Sequence, residues 1–239
     1  MQDTEISLMV GIEDRHWWFR ERRAILRREL RGSRTRGEAL DIGAAGGGNT
    51  RVLAGLGYEA LVADYSEAAV QVARERGLKA IHADARDLPL ESGRFDVVTA
   101  FDVLEHIVED HLAAAEIARV LKPGGTALIA VPCDMALWSA HDDAVGHVRR
   151  YSREELVGLM EKAGLVVERV WSWNVLLRPV VARRRKNSEG NDLTELPWIV
   201  NAGLTAIIVL ERYLPVKSMR GVSIFLRARK PAASPSGGA

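Results

Sequence analysis

The hydrophobic and polar positions between residues 38 and 171 follow two alternating periods. Short runs rich in β-branched residues, such as FDVVTAF at 95–101, predict strands that are buried on both faces. Between these runs lie segments with apolar residues at helical spacing, such as DHLAAAEIARVL at 110–121, each closed by Gly or Pro. Strands that alternate with helices of about ten residues predict βαβ units. The pattern therefore predicts an α/β fold built on a doubly wound, mostly parallel sheet.

The segments on either side of this core carry helical patterns instead. One helix is predicted over 13–31, two more over 173–185 and 197–213, and a last strand over 221–229. The polar run RRRKNSEGN at 183–191 predicts an exposed loop. The predicted organisation is a helical lid at 1–37, the core at 38–171, a helical cap insertion at 172–220, the last strand at 221–230 and a disordered tail at 231–239.

Charge and composition exclude several classes of protein. The 33 Lys and Arg residues balance 32 Asp and Glu residues, so the net charge of +1 gives no strong field for a nucleic acid. The single cysteine excludes an intrachain disulfide framework and a zinc site built from several cysteines. No secretory signal is recognisable, and the longest apolar stretch is shorter than the ~20 residues that span a bilayer. These features predict a cytoplasmic protein, either a monomer or a homodimer.

The strongest local motif is DIGAAGGG at 41–48, which stands between a predicted strand and a predicted helix. Glycines there let the backbone approach a ligand closely, and the helix N-terminus offers free N–H groups. Acidic residues also end the following strands, at Asp64, Asp84 and Asp102. Because ligands of open parallel sheets bind beyond the carboxyl ends of the strands, this pattern predicts a nucleotide-type site.

Five segments together resemble the class I S-adenosylmethionine-dependent methyltransferases. These segments are LDIGAAGGG at 40–48, VADYS at 62–66, HADARDLPL at 82–90, FDVVTAFDVLEH at 95–106 and LKPGGTALIAVP at 121–132. HWWF-x-x-RR at 16–23 and HDDAVGHVRRYS at 141–152 resemble a bacterial subgroup that acts on small molecules. The resemblance implies a Rossmann-like sheet of seven strands with an antiparallel last strand. It also implies S-adenosylmethionine as the cofactor and S-adenosylhomocysteine as its product.

The resemblance further implies which residues would contact this cofactor. Asp41, Gly43 and Gly47 would line its methionine end, Asp64 would hold the ribose, and Asp84 would accept a hydrogen bond from the adenine amino group. The full predicted set is Asp41, Gly43, Ala45, Gly47, Asp64, Tyr65, Asp84, Ala85, Phe101 and His106. Ala45 stands where the family usually has a glycine.

The predicted acceptor side is built mainly from histidines and aromatic residues. His147 and His141 are the candidate catalytic residues, with His147 as the base if the acceptor carries a proton. Trp17, His16, Tyr151 and Trp138 are the candidate acceptor contacts. The HDD run at 141–143 is interpreted as a solvated loop, so no metal site is predicted. Membrane contact through the basic run at 183–186 is possible but not favoured.

The predicted function is methyl transfer from S-adenosylmethionine to an O, N or C atom of a small molecule, in bacterial secondary or sugar and lipid metabolism. Two alternatives stay open. Gly43-x-Ala45-x-x-Gly48 followed by Asp64 is a loose form of the fingerprint of NAD-dependent oxidoreductases. The same fold could also bind S-adenosylmethionine for chemistry other than methylation.

Overall fold

A computed structural model describes residues 3–32, 37–186 and 195–232. The predicted tail lies outside the described residues from residue 233 onward, as do residues 187–191 of the predicted polar loop. The helices are α1 (Asp3–Ile12), α2 (Trp17–Leu30), α3 (Gly48–Gly55), α4 (Glu67–Glu75), α5 (Asp110–Val120), α6 (Ala140–Val145), α7 (Arg153–Lys162), α8 (Arg178–Arg185) and α9 (Trp198–Glu211). The strands are β1 (Glu38–Ile42), β2 (Glu59–Asp64), β3 (Lys79–His82), β4 (Phe95–Phe101), β5 (Leu121–Pro132), β6 (Val166–Trp173) and β7 (Ser223–Arg229).

These strands form one seven-stranded sheet in the order β3-β2-β1-β4-β5-β7-β6. The pairs among β1 to β5 are parallel, whereas β7 lies antiparallel between β5 and β6. The predicted fold is confirmed, including the antiparallel last strand near the sheet edge. This order differs from the order 3-2-1-4-5-6 of dinucleotide-binding folds, because a strand is inserted between the last two.

Apolar side chains cover both faces of the sheet, as a doubly wound fold requires. On one face Leu40, Val98 and Ile129 pack with Ile117 of α5 and Leu156 of α7. The other face carries Leu128 and Phe225, which pack with residues of α2, α3 and α9, namely Ile25, Leu26, Val52, Leu53 and Ile208. Of the N-terminal and cap helices, α2 and α9 therefore belong to the packed core of this second face.

Two local predictions differ from the structure. The predicted helix over 13–31 begins only at Trp17, as α2, and a separate helix that was not predicted, α1 (Asp3–Ile12), precedes it. Arg183 to Arg185 form the last turn of α8 and not an exposed loop, since this segment continues the helix that Pro179 opens.

Candidate active site

A cavity of about 350 Å³ opens beyond the carboxyl ends of β1, β4 and β5. Its walls come from α2, the turn between β1 and α3, the segment after β4, α6, α8 and the start of α9. Eight of the residues predicted from the sequence line it: His16, Trp17, Gly43, Ala45, Phe101, His106, His141 and His147. The cavity therefore joins the turn predicted to bind the cofactor to the histidines predicted to serve the acceptor.

The turn between β1 and α3 brings backbone against this cavity. Gly43 and Gly47 have φ values of 65° and 79°, which glycine adopts without steric cost. Ala45 has a φ of 45°, so a residue with a side chain stands in the left-handed region at about 1–2 kcal/mol. The replacement of the family's usual glycine therefore leaves the turn in place at a cost in backbone strain.

An acidic side chain of the N-terminal segment lies at the start of α3. A Cβ atom built on Gly48 would lie 2.3 Å from Oε2 of Glu13, so this carboxylate meets the helix N-terminus directly. Arg23, Arg51 and Arg76 surround the same carboxylate as ion-pair partners. The position thus accepts a negative group, as the helix dipole and the free N–H groups favour.

Asp41 lies below the turn and is not among the residues that line the cavity, so the structure does not place it for the direct cofactor contact that the resemblance implies. Its side chain is 1% exposed, and its two carboxylate oxygens accept hydrogen bonds from the hydroxyls of Thr50 and Thr99, each at 2.7 Å. Burial raises the pKa of Asp41 to about 6, although these two hydrogen bonds oppose the shift. Asp41 therefore ties β1, α3 and β4 together beneath the site.

Replacing Asp41 by Asn should make the stability of the protein less dependent on pH. The folded chain holds a proton on Asp41 up to about pH 6, whereas the ordinary pKa is 3.8, so Asp41 favours the folded state at low pH and loses this contribution as pH rises through 6. At 1.36 kcal/mol per pKa unit, Asp41→Asn should gain about 2–3 kcal/mol relative to the parent between pH 4 and pH 7. Urea unfolding at both pH values measures this difference. Asp87→Asn, the same change at an exposed site, should show little of it.

The acidic residues at the ends of β2 and β3 lie beside the cavity rather than in its wall. The Asp64 carboxylate accepts hydrogen bonds from the backbone N–H groups of Ala45 and Ser66, both at 2.9 Å. Burial raises the pKa of Asp64, and these hydrogen bonds oppose the shift. Asp84 pairs with Arg86, whose hydrogen bond lowers the pKa of that carboxyl group. Asp64 therefore couples the end of β2 to the turn, and a ligand at Asp84 would share the carboxylate with Arg86.

The other predicted cofactor residues are placed as follows. Ala85 is buried next to Asp84, while the Tyr65 side chain is 72% exposed with its ring near His82. Gly47 faces Leu78 and Val62 rather than the cavity. The cofactor contacts assigned to Asp64, Tyr65, Asp84 and Ala85 stay predictions.

A buried arginine closes the cavity from the side of α2. Arg22 forms an ion pair with Asp102, with Nη2 and Oδ2 2.8 Å apart. Its guanidinium carbon lies 5.2–5.7 Å from the ring centroids of Trp18, Phe101, Trp173 and Phe225. Cation–π contact and the ion pair together hold the N-terminal helix against β4.

The polar end of the cavity is organised by a fully buried carboxylate, Asp142. Its Oδ1 atom lies 2.7 Å from Nη2 of Arg150, whose side chain is also fully buried, and 2.8 Å from Nδ1 of His147. Burial alone would raise the pKa of Asp142, but the hydrogen bond from His147 and the charge of Arg150 lower it. Because the ionised carboxylate can only accept, Nδ1 of His147 carries a proton, and in the neutral ring the lone pair then lies on Nε2. His147 is therefore held in one tautomer at the cavity wall.

Two further side chains lie beside His147. The rings of His106 and His147 are 4.7 Å apart, and Glu105 is fully buried between them and Arg22. Burial lowers the pKa of His106 to about 4, and burial together with the charge of Asp102 raises the pKa of Glu105 well above its usual range. His106 thus belongs to the same end of the cavity as His147.

Three residues or segments on the predicted acceptor side lie in other surroundings than expected. Tyr151 is 3% exposed and donates its hydroxyl hydrogen bond to Asp110, so it is a core residue without access to the cavity. The Trp138 indole N–H donates to Asp143 at 3.2 Å, outside the cavity lining. The HDD run is no solvated loop, since it lies in α6 and contains the buried Asp142.

Sequence reasoning missed Arg22, Glu105 and Asp142 as members of the site. Arg22 and Glu105 stand inside motifs already singled out, at 16–23 and 95–106. For Glu105 the available signal was a charged residue within a largely apolar run, because such a residue needs a partner if the run is buried.

Known proteins match this chain over part of its length. Residues 40–129 match a family model described as a methyltransferase domain. A protein of Mycolicibacterium smegmatis named "Probable S-adenosylmethionine-dependent methyltransferase" is 30% identical over 162 residues, 66% of this chain and 63% of the relative. A ubiquinone biosynthesis O-methyltransferase of Bordetella avium is 31% identical over 104 residues, 41% of this chain and 43% of the relative. The chain thus spans less than two thirds of the length of either relative.

A solved structure extends the likeness to almost the whole chain. Phosphoethanolamine N-methyltransferase 2 of Haemonchus contortus, in complex with S-adenosyl-L-methionine, has a TM-score of 0.67 at 23% identity, over 96% of this chain and 57% of that one. At this identity the likeness concerns the fold. Residues 40–129 therefore match a methyltransferase domain, within a fold that the flanking helices and β7 complete.

Proposed function

We propose that this chain transfers a methyl group from S-adenosylmethionine to a small molecule, at a nucleophile that carries a proton, such as a hydroxyl group. The observation that carries the proposal is one cavity lined by two sets of residues. One set is the glycine-rich turn with Gly43 and Ala45, and the other includes His147, held by the buried Asp142. A donor and an acceptor in this cavity would lie side by side, as transfer requires.

The residues present fit this cofactor by their chemistry. Asp64 accepts one N–H hydrogen bond on each oxygen and keeps lone pairs for ribose hydroxyls. The start of α3, where Glu13 now lies, suits the carboxylate of an amino acid, and Arg23 lies beside it in the cavity wall. When bound, S-adenosylmethionine supplies a methyl group on a positively charged sulfur, already activated for displacement. The protein's part is to orient the two partners and to exclude water.

The acceptor end combines apolar walls with a few polar groups. Trp17, Trp18, Leu177 and Val181 contribute apolar surface from α2 and from the segment around α8. His147 and His141 contribute polar atoms at the far wall. Such a cavity suits a compact molecule with an apolar body and one reactive hydroxyl group. His147 promotes loss of the acceptor's proton, and Asp142 fixes the ring for this task.

Two observations favour this proposal over an NAD-dependent oxidoreductase. The sheet order with an inserted antiparallel β7 departs from the dinucleotide-binding order. The match of residues 40–129 to a methyltransferase domain supports the same choice.

The name of the ubiquinone biosynthesis relative suggests small-molecule biosynthesis as the setting. Among the described residues, no helix is long and apolar enough to cross a membrane.

Replacing Asp64 by Ala should weaken S-adenosylhomocysteine about 10–100-fold, because a charged hydrogen-bond acceptor for ribose is worth about 1.5–3 kcal/mol. Titration calorimetry measures the dissociation constant. Glu161→Gln, an exposed carboxylate on α7, serves as the control and should leave the constant unchanged. Equal affinity in Asp64→Ala and the parent would remove Asp64 from the cofactor site.

The proposed activity is tested by transfer of a labelled methyl group from S-adenosylmethionine to a panel of small molecules. The panel pairs hydroxylated aromatic compounds with the same compounds carrying an amine or no nucleophile. We expect label on the hydroxylated members only. Label on DNA, RNA or protein instead, with none on any small molecule, would contradict the proposed acceptor class.

A further inference from the structure

Glu105 is the most unusual side chain in the cavity wall. It is fully buried, and neither of its carboxylate oxygens receives a hydrogen bond from any other residue that the structure describes. Burying a carboxylate with so few hydrogen bonds costs several kcal/mol, and a bound cation would offset this cost. Glu105 lines the cavity at its polar end, next to the site of the proposed acceptor.

Two imidazoles face the same point. One ligand atom each from Glu105, His106 and His147 lies within 4.8 Å of the other two. Nε2 of His147 and Oε1 of Glu105 are 3.8 Å apart. An ion bound at about 2.0–2.2 Å from each atom would need only a small inward movement of these side chains.

The far sides of both imidazole rings are already held. Nδ1 of His147 donates to Asp142 at 2.8 Å, and Nδ1 of His106 lies 3.3 Å from the carbonyl oxygen of Gly146. Histidines that bind metals characteristically donate their second ring N–H to a carboxylate or to a backbone carbonyl. Here one ring has each kind of partner, and in a neutral ring whose Nδ1 donates, the lone pair available to an ion is on Nε2.

We propose that Glu105, His106 and His147 bind one divalent first-row transition-metal ion in the wall of the cavity. Two imidazoles and one carboxylate suit ions such as Zn²⁺, Mn²⁺, Co²⁺ or Fe²⁺ better than Mg²⁺ or Ca²⁺, which prefer oxygen ligands. Three protein ligands leave coordination positions open toward the cavity, as in catalytic metal sites. The sequence-based prediction of no metal site is thereby replaced by a site whose ligands come from two separate segments.

The site also refines the role of His147, and this step rests on the proposed function. The lone pair of Nε2 cannot bind an ion and accept a proton at once, so His147 acts on the acceptor through the ion. A hydroxyl group bound to such an ion loses its proton to water at a lower pH than a free one. The ion would hold the acceptor oxygen at the cavity wall.

The test uses untagged protein freed of metal with a chelator and then titrated with Co²⁺. The d–d absorption bands in the visible spectrum report the ligands and the stoichiometry. We expect one Co²⁺ per chain, displaced by Zn²⁺, and at least ~100-fold weaker binding in Glu105→Gln and His147→Ala. His111→Gln removes an exposed imidazole on α5 and should bind Co²⁺ as the parent does.

Thermal unfolding gives a second readout that does not depend on activity. Zn²⁺ should raise the Tm of the parent and of His111→Gln, but not the Tm of Glu105→Gln. No stoichiometric Co²⁺ site in the parent, or equal affinity in Glu105→Gln, would overturn the proposal. S-adenosylhomocysteine calorimetry on the same samples separates the two claims. Metal binding without cofactor binding would refute the methyltransferase proposal alone, and the reverse would refute the metal site alone.

Discussion

Asp142→Asn should lower the free energy of unfolding by about 3–5 kcal/mol, since it breaks a buried ion pair from one side. Asp142 and Arg150 are both fully buried and lie 2.7 Å apart, so the variant leaves the Arg150 guanidinium without its ion-pair partner. The Ser139 backbone N–H, which donates to Oδ2 at 3.0 Å, can still be satisfied by the Asn oxygen. The loss therefore comes mainly from the charge, and urea unfolding at neutral pH measures it.

The neighbouring residue provides a matched control for this prediction. Asp143→Asn makes the same chemical change one position along α6, at an exposed carboxylate that accepts only from the Trp138 indole among the hydrogen bonds described. It should cost less than about 1 kcal/mol. Similar losses of unfolding free energy in the two variants would show that the buried ion pair stabilises the fold no more than the exposed carboxylate does.

His147→Ala should reduce methyl transfer about 10²–10⁴-fold, the usual contribution of a residue that helps to move a proton. The affinity for S-adenosylhomocysteine should stay the same, because the contacts described for His147 are with Asp142, Glu105, His106 and His141 and not with Asp64 or the glycine-rich turn. Single-turnover rates on an acceptor identified from the hydroxylated panel measure the effect, and calorimetry measures the affinity.

The stability of His147→Ala shows whether its loss of methyl transfer comes from the reaction itself or from a damaged fold. Asp142 and Arg150 remain together in His147→Ala, so the variant should unfold cooperatively with only a modest loss of stability. A parallel fall in cofactor affinity would place His147 on the cofactor side instead. Unchanged transfer would remove it from the reaction.

The core of the fold was predictable because its signals are local. The β-branched run at 95–101 and the helical spacing at 110–121 each specify their element without distant partners. Even the antiparallel β7 followed, although only through resemblance to a family. The break between α1 and α2 was not predictable in this way, and the residue that follows α1, Glu13, contacts Arg76 and the start of α3, which are distant in the sequence.

The site was predictable in part for a related reason. Glycines and strand-end acids mark a turn, and turns at the carboxyl ends of parallel strands converge whatever else the chain does. Tyr151 and Asp142, by contrast, stand nine positions apart in one segment, and both were predicted incorrectly. Tyr151 was expected to contact the acceptor, and Asp142 was expected to lie in a solvated loop. Tyr151 is packed in the core against Asp110, and Asp142 is buried by pairing with Arg150. Pairing between distant charged residues decides such positions, and a single sequence does not display it.

The central claim is that the cavity beyond β1 and β4 serves S-adenosylmethionine chemistry. Titration calorimetry of the parent protein with S-adenosylhomocysteine, S-adenosylmethionine and NAD⁺ under one set of conditions tests it most directly. The account predicts that both sulfur compounds bind with one site per chain and that NAD⁺ gives no binding heat. Binding of NAD⁺ together with no binding of either sulfur compound would contradict it.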